Sequence, residues 1–273
     1  MSREFRLYVT DLDGTLMRDD KIISKESVTI LNRLLSQGIF LTYATARSLS
    51  SASEITKNIS FHLPVIIRNG TILADPQSKR EIEIAMFGEE LRHIRQALAD
   101  TAIPGFATAY FGAKEVKLCL AGRTNEGFQD YLQNHSADRS IHMVDTEDKL
   151  YEGETCYFTL IAPKNELQPL YERVKQIEGI NCVFQQDKYR TEYWLELCPK
   201  NATKASAIQK VKQLCGCQRV IAFGDSANDI SMFQMADEAY AVQNAIDELK
   251  EIATGIIESN NTDGVAKWLE AHS

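Results

Sequence analysis

The feature that most constrains the fold is a short apolar run near the N-terminus that ends at two aspartates. Residues 5–16 read FRLYVTDLDGTL, and apolar side chains are nearly continuous before Asp11 and Asp13. Such a run is typical of a strand buried on both faces of a parallel sheet. Because open α/β sheets bind ligands beyond the carboxyl ends of their strands, we expect both carboxylates at a ligand-binding edge.

Two carboxylates this close together need stabilisation, and they can also take part in catalysis. Carboxylates so close together repel each other, so the site needs either a cation or a shared proton. Aspartate can also attack phosphorus and form an aspartyl-phosphate. Gly14 allows a sharp turn whose N–H groups can face an anion. The same residues are also typical of a strand that ends in an ordinary Asp-Gly turn without any catalytic role, and residues 5–16 alone do not distinguish the two interpretations.

The pattern that follows the two aspartates alternates between strand and helix. Residues 24–38 and 48–58 have helical patterns, and residues 39–44 between them form a strand. The alternation returns after residue 199, where a buried strand at residues 219–223 precedes a helix at residues 230–235. Alternation of this kind predicts a doubly wound parallel sheet.

A further short strand is expected at residues 64–67, directly before Arg68, Asn69 and Gly70. Asn-Gly is the preferred loop of a two-residue hairpin, so this segment equally suits a β-hairpin. The sequence therefore leaves the partner of this strand open.

The middle of the chain has a different pattern of strands and helices, which predicts a second domain. Its strand patterns are long and its connections irregular, which favours an α+β domain on a mostly antiparallel sheet. A length of 273 residues with 44% hydrophobic side chains is enough for two domains. The predicted domains are a core formed by residues 1–84 and 190–273 and an inserted cap at residues 85–189.

Polar residues collect at the predicted ligand-binding edge of the core. They are Thr45 and Arg47 after the second strand, Lys204 at the start of a helix, and Asp225, Asn228 and Asp229 after the strand at residues 219–223. Taken singly, each has an ordinary structural explanation, such as a helix cap or a solvated side chain. Together, several carboxylates beside one lysine suit a hard divalent cation that bridges to a phosphate, and Mg²⁺ is the preferred ion.

Charge and composition narrow the classes of partner. The net charge of −8 argues against binding to nucleic acid or to an anionic membrane, both of which favour clustered basic residues. No apolar run has the length of a membrane span, and the N-terminus lacks the apolar core of a signal peptide. The sequence therefore predicts a cytoplasmic protein.

The six cysteines are predicted to be reduced. Four lie in apolar runs typical of strands, where cysteine behaves as a small hydrophobic residue. Cys215 and Cys217 are too closely spaced for the common zinc and thioredoxin patterns.

The sequence resembles the haloacid dehalogenase-like hydrolase superfamily, and most closely its Cof-type (IIB) subfamily of sugar and small-metabolite phosphatases. The resemblance covers residues 5–75 and 190–270, and the insertion lies where that subfamily carries its cap domain. It rests on four motifs, which are TDLDGTL, YATAR, PKNATKASAI and FGDSANDISMF. The resemblance implies a Rossmann-like core with an inserted cap.

The resemblance also implies roles for the acidic residues. Asp11 would be the nucleophile and a magnesium ligand. Asp13 would act as general acid and then as general base, and its backbone carbonyl would also bind the metal. Asp225 would be the third protein ligand, while Asp229 would hold a metal-bound water or orient Lys204.

Other residues would hold the phosphoryl group according to the same resemblance. These are Thr45, Arg47, Lys204, Asn228 and the backbone N–H groups of Leu12 and Ala46. The chain departs from the family pattern at Ala46, where glycine is usual, and at Arg68, where an acid is common.

The predicted function is that of a magnesium-dependent phosphatase for a small phosphorylated metabolite, with a sugar phosphate as the favoured substrate class. The carboxylate of Asp13 favours hydrolysis of an aspartyl-phosphate over its persistence. A phosphosugar mutase and a catalytically silent sensor of a phosphorylated ligand are the alternatives, together with a metal that serves structure alone. The sequence does not specify the oligomeric state.

Overall fold

A five-stranded parallel sheet joins the two segments that carry the predicted motifs. The structure is a computed structural model and describes residues 5–99, 101–187 and 190–273. Within these residues the strands are β1 Arg6–Thr10, β2 Phe40–Tyr43, β3 Val65–Ile67, β4 Ile72–Ala74, β5 Glu81–Ile84, β6 Gly105–Phe111, β7 Lys114–Leu120, β8 Ile141–Val144, β9 Glu154–Ala162, β10 Ile180–Gln186, β11 Tyr193–Pro199, β12 Arg219–Gly224, β13 Glu238–Val242 and β14 Gly255–Ile257.

Helices of the same described residues alternate with the strands of the five-stranded parallel sheet. In chain order, the described helices are α1 Lys25–Ser36, α2 Leu49–Thr56, α3 Leu91–Leu98, α4 Glu126–Asn134, α5 Lys164–Val174, α6 Lys204–Cys215, α7 Ile230–Met235, α8 Asp247–Glu251 and α9 Gly264–His272. Not one of these described helices combines the length and the apolar character that crossing a bilayer requires.

The parallel sheet has the strand order β14-β13-β12-β1-β2. Strand β1 lies between β12 and β2, with Thr10 opposite both Phe223 and Tyr43. Leu7 and Val9 on one face of β1 and Tyr8 on the other are all buried, as expected of a strand covered on both faces. The predicted α/β class with a doubly wound parallel sheet is confirmed, and the carboxyl ends of β1, β2 and β12 lie side by side.

The strand after β2 belongs to a separate antiparallel sheet of the order β3-β4-β5. A single parallel bridge, from Ala44 to Ile66, connects β3 to the strand before it. Between β3 and β4 the chain turns through Arg68–Gly70, and Asn69 has a φ of 54°. Asparagine tolerates this left-handed conformation, so of the two possibilities left by the sequence the hairpin is the one observed.

The second compact unit comprises Ala85–Asn201 and is built on a six-stranded sheet of the order β10-β11-β9-β6-β7-β8. All neighbours in this sheet are antiparallel except β7 and β8, in agreement with the predicted α+β character. The sequence boundary at residue 189 falls before β11, whereas β11 pairs with both β9 and β10. The assignment of the two units as hydrolase core and cap stays a prediction.

Candidate active site

The two acidic segments of the first unit meet at the carboxyl ends of β1 and β12. The backbone N–H of Asp11 donates to the carbonyl of Phe223 at 2.9 Å, which continues the pairing of the two strands by one residue. Asp225 follows β12 directly. The parallel sheet thereby brings together carboxylates that are more than 200 residues apart in the sequence.

Lys204 lies between two carboxylates at the N-terminal end of α6. Its Nζ donates to Oδ1 of Asp11 at 2.6 Å and to Oδ1 of Asp229 at 2.7 Å. The lysine is 1% exposed. Thr203 caps the helix, because its side chain accepts a hydrogen bond from the N–H of Ser206. This cap fixes the turn from which the lysine extends.

The start of α6 also depends on a close approach by Gly70. This glycine has a φ of 100°, and a Cβ added to it would collide with the backbone of Thr203 and of Lys204. Only glycine fits both the conformation and the space. The hairpin turn after β3 thus supports the backbone from which Lys204 reaches Asp11.

Asp229 binds Lys204 and also stabilises the acidic loop, which is formed by residues 225–229 after β12. Its Oδ2 accepts from the N–H of Asp225 at 2.9 Å and from the N–H of Ser226 at 3.1 Å. Asp229 is fully buried. Its Oδ1 accepts from Nζ of Lys204 at 2.7 Å, a contact that would allow it to orient the lysine.

Burial and charge together set the electrostatics of this cluster. Burial raises the pKa of Asp11 well above its usual value, and the negative charges of Asp229, Asp225 and Asp13 add to that effect, while Lys204 opposes it. Burial lowers the pKa of Lys204, but the neighbouring carboxylates raise it more, so it is above its usual value. The lysine is therefore cationic, and a further positive charge would favour ionised Asp11.

The carboxylates have the arrangement of a possible metal site. Asp11, Asp225 and Asp229 each offer an oxygen that lies within 4.8 Å of the others, and all three residues are buried. Oxygen donors from carboxylates are the ligands that Mg²⁺ prefers. The donor set fits a hard divalent cation.

Thr15 is a member of the site that the sequence reasoning did not assign. Its hydroxyl donates to Oδ1 of Asp225 at 3.0 Å, and the side chain is 1% exposed. The carbonyl of Leu12 accepts from the N–H groups of Thr15 and Met17, which closes the turn after Asp11. The signal for Thr15 was present, since it belongs to the TDLDGTL motif.

Thr45 lies beyond β2, at the same edge as Asp11. Its hydroxyl accepts from the N–H of Arg47 at 3.2 Å, and Ser48 is the N-cap of α2. Thr45 is therefore not the helix cap that its sequence position also suited. Ala46 has a negative φ, so the freedom of the glycine that is usual here is not required by this conformation.

The side chain of Arg47 is bound to Asp13. Its Nε and Nη2 donate to the two carboxylate oxygens of Asp13, both at 2.6 Å, and its Nη1 donates to the hydroxyl of Ser51 at 2.8 Å. Such a planar fork holds a carboxylate in one orientation. The sequence predicts Arg47 as a phosphate-binding residue, whereas the structure places it on Asp13.

Asn228 connects the acidic loop to the hairpin turn. Its side-chain nitrogen donates to Oδ1 of Asn69 at 3.0 Å, and its oxygen accepts from the hydroxyl of Ser226 at 2.9 Å. Asn69 is 2% exposed, and the sequence analysis did not assign it to the site. Arg68, where the chain departs from the family pattern, is also buried and has a φ of 47°.

Comparison with known protein families gives a match over nearly the whole chain. Residues 8–269 match the family described as haloacid dehalogenase-like hydrolase. Two curated relatives from Bacillus subtilis are named 5-amino-6-(5-phospho-D-ribitylamino)uracil phosphatase. The one designated YwtE is 25% identical over 95% of both chains, and the one designated YitU is 26% identical over 97% of both.

Solved structures with the same fold cover the chain equally well. The protein TM0651 from Thermotoga maritima has a TM-score of 0.76 at 26% identity and covers 98% of both chains. The subclass IIB sugar phosphatase BT4131 has a TM-score of 0.77 at 18% identity and covers 97% of this chain and 98% of its own. At that lower identity the likeness concerns the fold.

Proposed function

This chain belongs to the haloacid dehalogenase-like hydrolases, and we propose that it is a magnesium-dependent phosphatase that hydrolyses a small phosphorylated metabolite. The observation that carries the proposal is the position of Lys204, whose Nζ lies 2.6 Å from Asp11 and 2.7 Å from Asp229. A buried cation between carboxylates suits a reaction in which a dianionic phosphoryl group approaches a carboxylate nucleophile.

In the proposed reaction, the carboxylate of Asp11 attacks phosphorus and an aspartyl-phosphate forms. Lys204 orients the attacking carboxylate through Oδ1 and neutralises charge on the phosphoryl group. Mg²⁺ would be held by Asp11, Asp225 and the carbonyl of Asp13, and it would supply additional neutralisation of the phosphate charge. Asp229 would act beside the metal, through Lys204 or a metal-bound water. The buried hydroxyl of Thr15 fixes the orientation of Asp225, since it donates to Oδ1 at 3.0 Å.

Asp13 is the proposed general acid and base. It would protonate the leaving oxygen in the first step and take a proton from the attacking water in the second. Its carboxylate is half-buried and is held on both oxygens by Arg47. We assign to Arg47 the task of positioning Asp13, because its Nε and Nη2 hold the two carboxylate oxygens.

The phosphoryl oxygens would be held by groups from three segments. Thr45 can donate its hydroxyl hydrogen while its oxygen accepts from Arg47. The N–H groups of Leu12 and Ala46 and the amide of Asn228 would complete the set. The hydrogen bond of Asn228 to Asn69 supports this arrangement, because it fixes the orientation of the amide.

The names of the relatives support the proposed substrate class. Both Bacillus subtilis proteins are named for a phosphate ester carried on a ribityl chain, which is a polyol. A phosphorylated sugar or polyol therefore remains the favoured substrate. A phosphosugar mutase would use the same aspartate chemistry, and analysis of the product separates the two, because a mutase returns a sugar phosphate and a phosphatase releases inorganic phosphate.

The test of the function is phosphate release from an aryl phosphate by the purified chain. We expect turnover with Mg²⁺, loss of turnover with a chelator, and recovery when Mg²⁺ is restored in excess, because Asp11, Asp225 and Asp229 form a charged cluster that needs a cation. A panel of phosphorylated sugars and polyols then ranks substrates by kcat/KM. Binding of Mg²⁺ without phosphate release from any of them would support the silent sensor instead.

Arg47→Lys tests the contact between Arg47 and Asp13. Lysine keeps the charge but cannot bind both carboxylate oxygens as a fork, so we expect kcat to fall by about 10- to 100-fold with little change in KM. In an Asp13→Asn background the same substitution should have little further effect. The matched control is Arg33→Lys, whose exposed ion pair with Glu270 lies elsewhere in the same unit. A rise in KM with unchanged kcat would instead assign Arg47 to substrate binding.

A further inference from the structure

Two thiols outside the candidate active site face each other at the C-terminal end of α6. The Sγ atoms of Cys215 and Cys217 lie 3.1 Å apart, and the Sγ of Cys215 lies 3.6 Å from the carbonyl oxygen of Lys212. The sulfur atoms are therefore already close before any bond forms between them. Cys215 is the last residue of α6, which begins at Lys204, and Gly216 and Cys217 lie in the connection to β12, which ends before Asp225.

The backbone around the two thiols is fixed by the end of the helix. Gly216 is in the left-handed conformation with a φ of 66°. Its N–H donates to the carbonyl of Gln213 at 3.2 Å, and the N–H of Cys217 donates to the carbonyl of Lys212 at 3.1 Å. This helix-ending turn holds the two side chains on the same side, so little conformational freedom is lost when they react with each other.

The two cysteines differ in accessibility, and Cys217 is the more buried of the two. Cys215 is partly exposed, whereas Cys217 is 7% exposed. Burial, with a smaller contribution from the adjacent Cys215, raises the pKa of Cys217 to about 12, although Lys212 opposes the shift. An incoming reagent therefore meets Cys215 first, and Cys217 is placed to react with the product.

We propose that Cys215 and Cys217 are a redox-active dithiol that closes to an intramolecular disulfide on reaction with a small-molecule disulfide. The thiolate of Cys215 attacks one sulfur of the reagent, so the reagent's S–S bond breaks, a mixed disulfide forms and one thiolate leaves. Cys217, after losing its proton, attacks Sγ of Cys215 and expels the second thiolate. The protein loses two hydrogens, and the reagent is reduced to two thiols.

The inference concerns a site that the proposed phosphatase reaction does not use. Lys204 and Cys215 are the first and last of the twelve residues of α6, so the dithiol and the lysine lie about 17 Å apart along the helix axis. Substitution of either cysteine leaves the residues of the candidate active site in place. The experiment therefore stands or fails independently of the phosphatase activity.

The experiment uses the reduced protein and glutathione disulfide as the probe. After incubation, the remaining thiols are alkylated in denaturant, the protein is digested, and the masses of the peptides are measured by mass spectrometry. We expect a peptide that contains Cys215 and Cys217, carries no alkyl group and is lighter by two hydrogens, and we expect dithiothreitol to restore alkylation at both positions. Full alkylation of both residues after incubation would overturn the proposal, and so would a glutathione adduct that persists on Cys215.

Single variants test the order of the two steps. Cys217→Ser should accumulate a glutathione adduct at Cys215, because the second thiol is missing, and absence of that adduct would also contradict the proposal. The control is Cys182→Ser, which removes a partly buried thiol from the other compact unit. This variant should form the disulfide between Cys215 and Cys217 to the same extent as the parent chain. A lower yield would show that Cys182 takes part in the reaction and would contradict the proposal.

Discussion

Asp11→Asn is expected to lower phosphate release by about 10⁴-fold or more, which is the scale seen when a catalytic nucleophile is removed. Asparagine has nearly the same shape, but its amide oxygen is a poor nucleophile and a weak metal ligand. The substitution also removes one of the two charges that face Lys204, while the contact of the lysine with Asp229 at 2.7 Å can remain. Steady-state turnover of an aryl phosphate with saturating Mg²⁺ measures the effect.

The matched control for this substitution is Asp20→Asn. Asp20 is exposed and accepts a hydrogen bond from the N–H of Ile22, which an asparagine oxygen can also accept. We expect this control to retain the turnover of the parent chain. Thermal unfolding of both variants shows whether the fold is kept. Unchanged turnover in folded Asp11→Asn would rule out Asp11 as the nucleophile.

Lys204→Met should impair both stability and activity. Methionine fills a similar volume, yet Asp11 and Asp229 would remain as buried carboxylates without their cation. Breaking a buried ion pair from one side destabilises a protein by about 3–5 kcal/mol, so we expect a loss of that size in the free energy of unfolding without metal. Activity should fall by about 100- to 1,000-fold, as when one group that stabilises a transition state is lost.

Lys210→Met on the same helix is the control for Lys204→Met. Lys210 pairs with Glu83, and both side chains are about half exposed. Because exposed pairs contribute little, we expect a change within about 1 kcal/mol and unaltered turnover. Denaturant unfolding followed by circular dichroism compares the two variants. Equal destabilisation by both substitutions would contradict the claim that Lys204 stabilises the fold as the cation between the buried carboxylates of Asp11 and Asp229.

Local pattern was sufficient to predict the class of the fold and its family. The apolar run before Asp11 and the alternation of strands and helices predicted the parallel sheet, which is confirmed. Family membership, predicted from four motifs, is confirmed by the match over residues 8–269. Hydrophobic periodicity carries this information because strands buried on both faces must be apolar throughout.

Other features depend on contacts between distant residues, which local pattern does not contain. The choice of Asp13 as the partner of Arg47 follows from the way in which the ends of β1 and β2 meet. The pairing of β3 with β4 depends on the left-handed conformation of Asn69. Strand β6 lies between β7 and β9 in its sheet, although both partners come later in the chain. The roles of the site residues remain proposals.

The most direct test of the proposed mechanism is to trap phosphate on Asp11. The Asp13→Asn variant, which should form the aspartyl-phosphate but hydrolyse it slowly, is mixed with Mg²⁺ and an aryl phosphate, quenched and reduced with borohydride. The account predicts that residue 11 is converted to homoserine, only when substrate and metal are both present. Phosphate release from the parent chain, combined with an unmodified Asp11 or a phosphoryl group on another residue of the quenched variant, would contradict it.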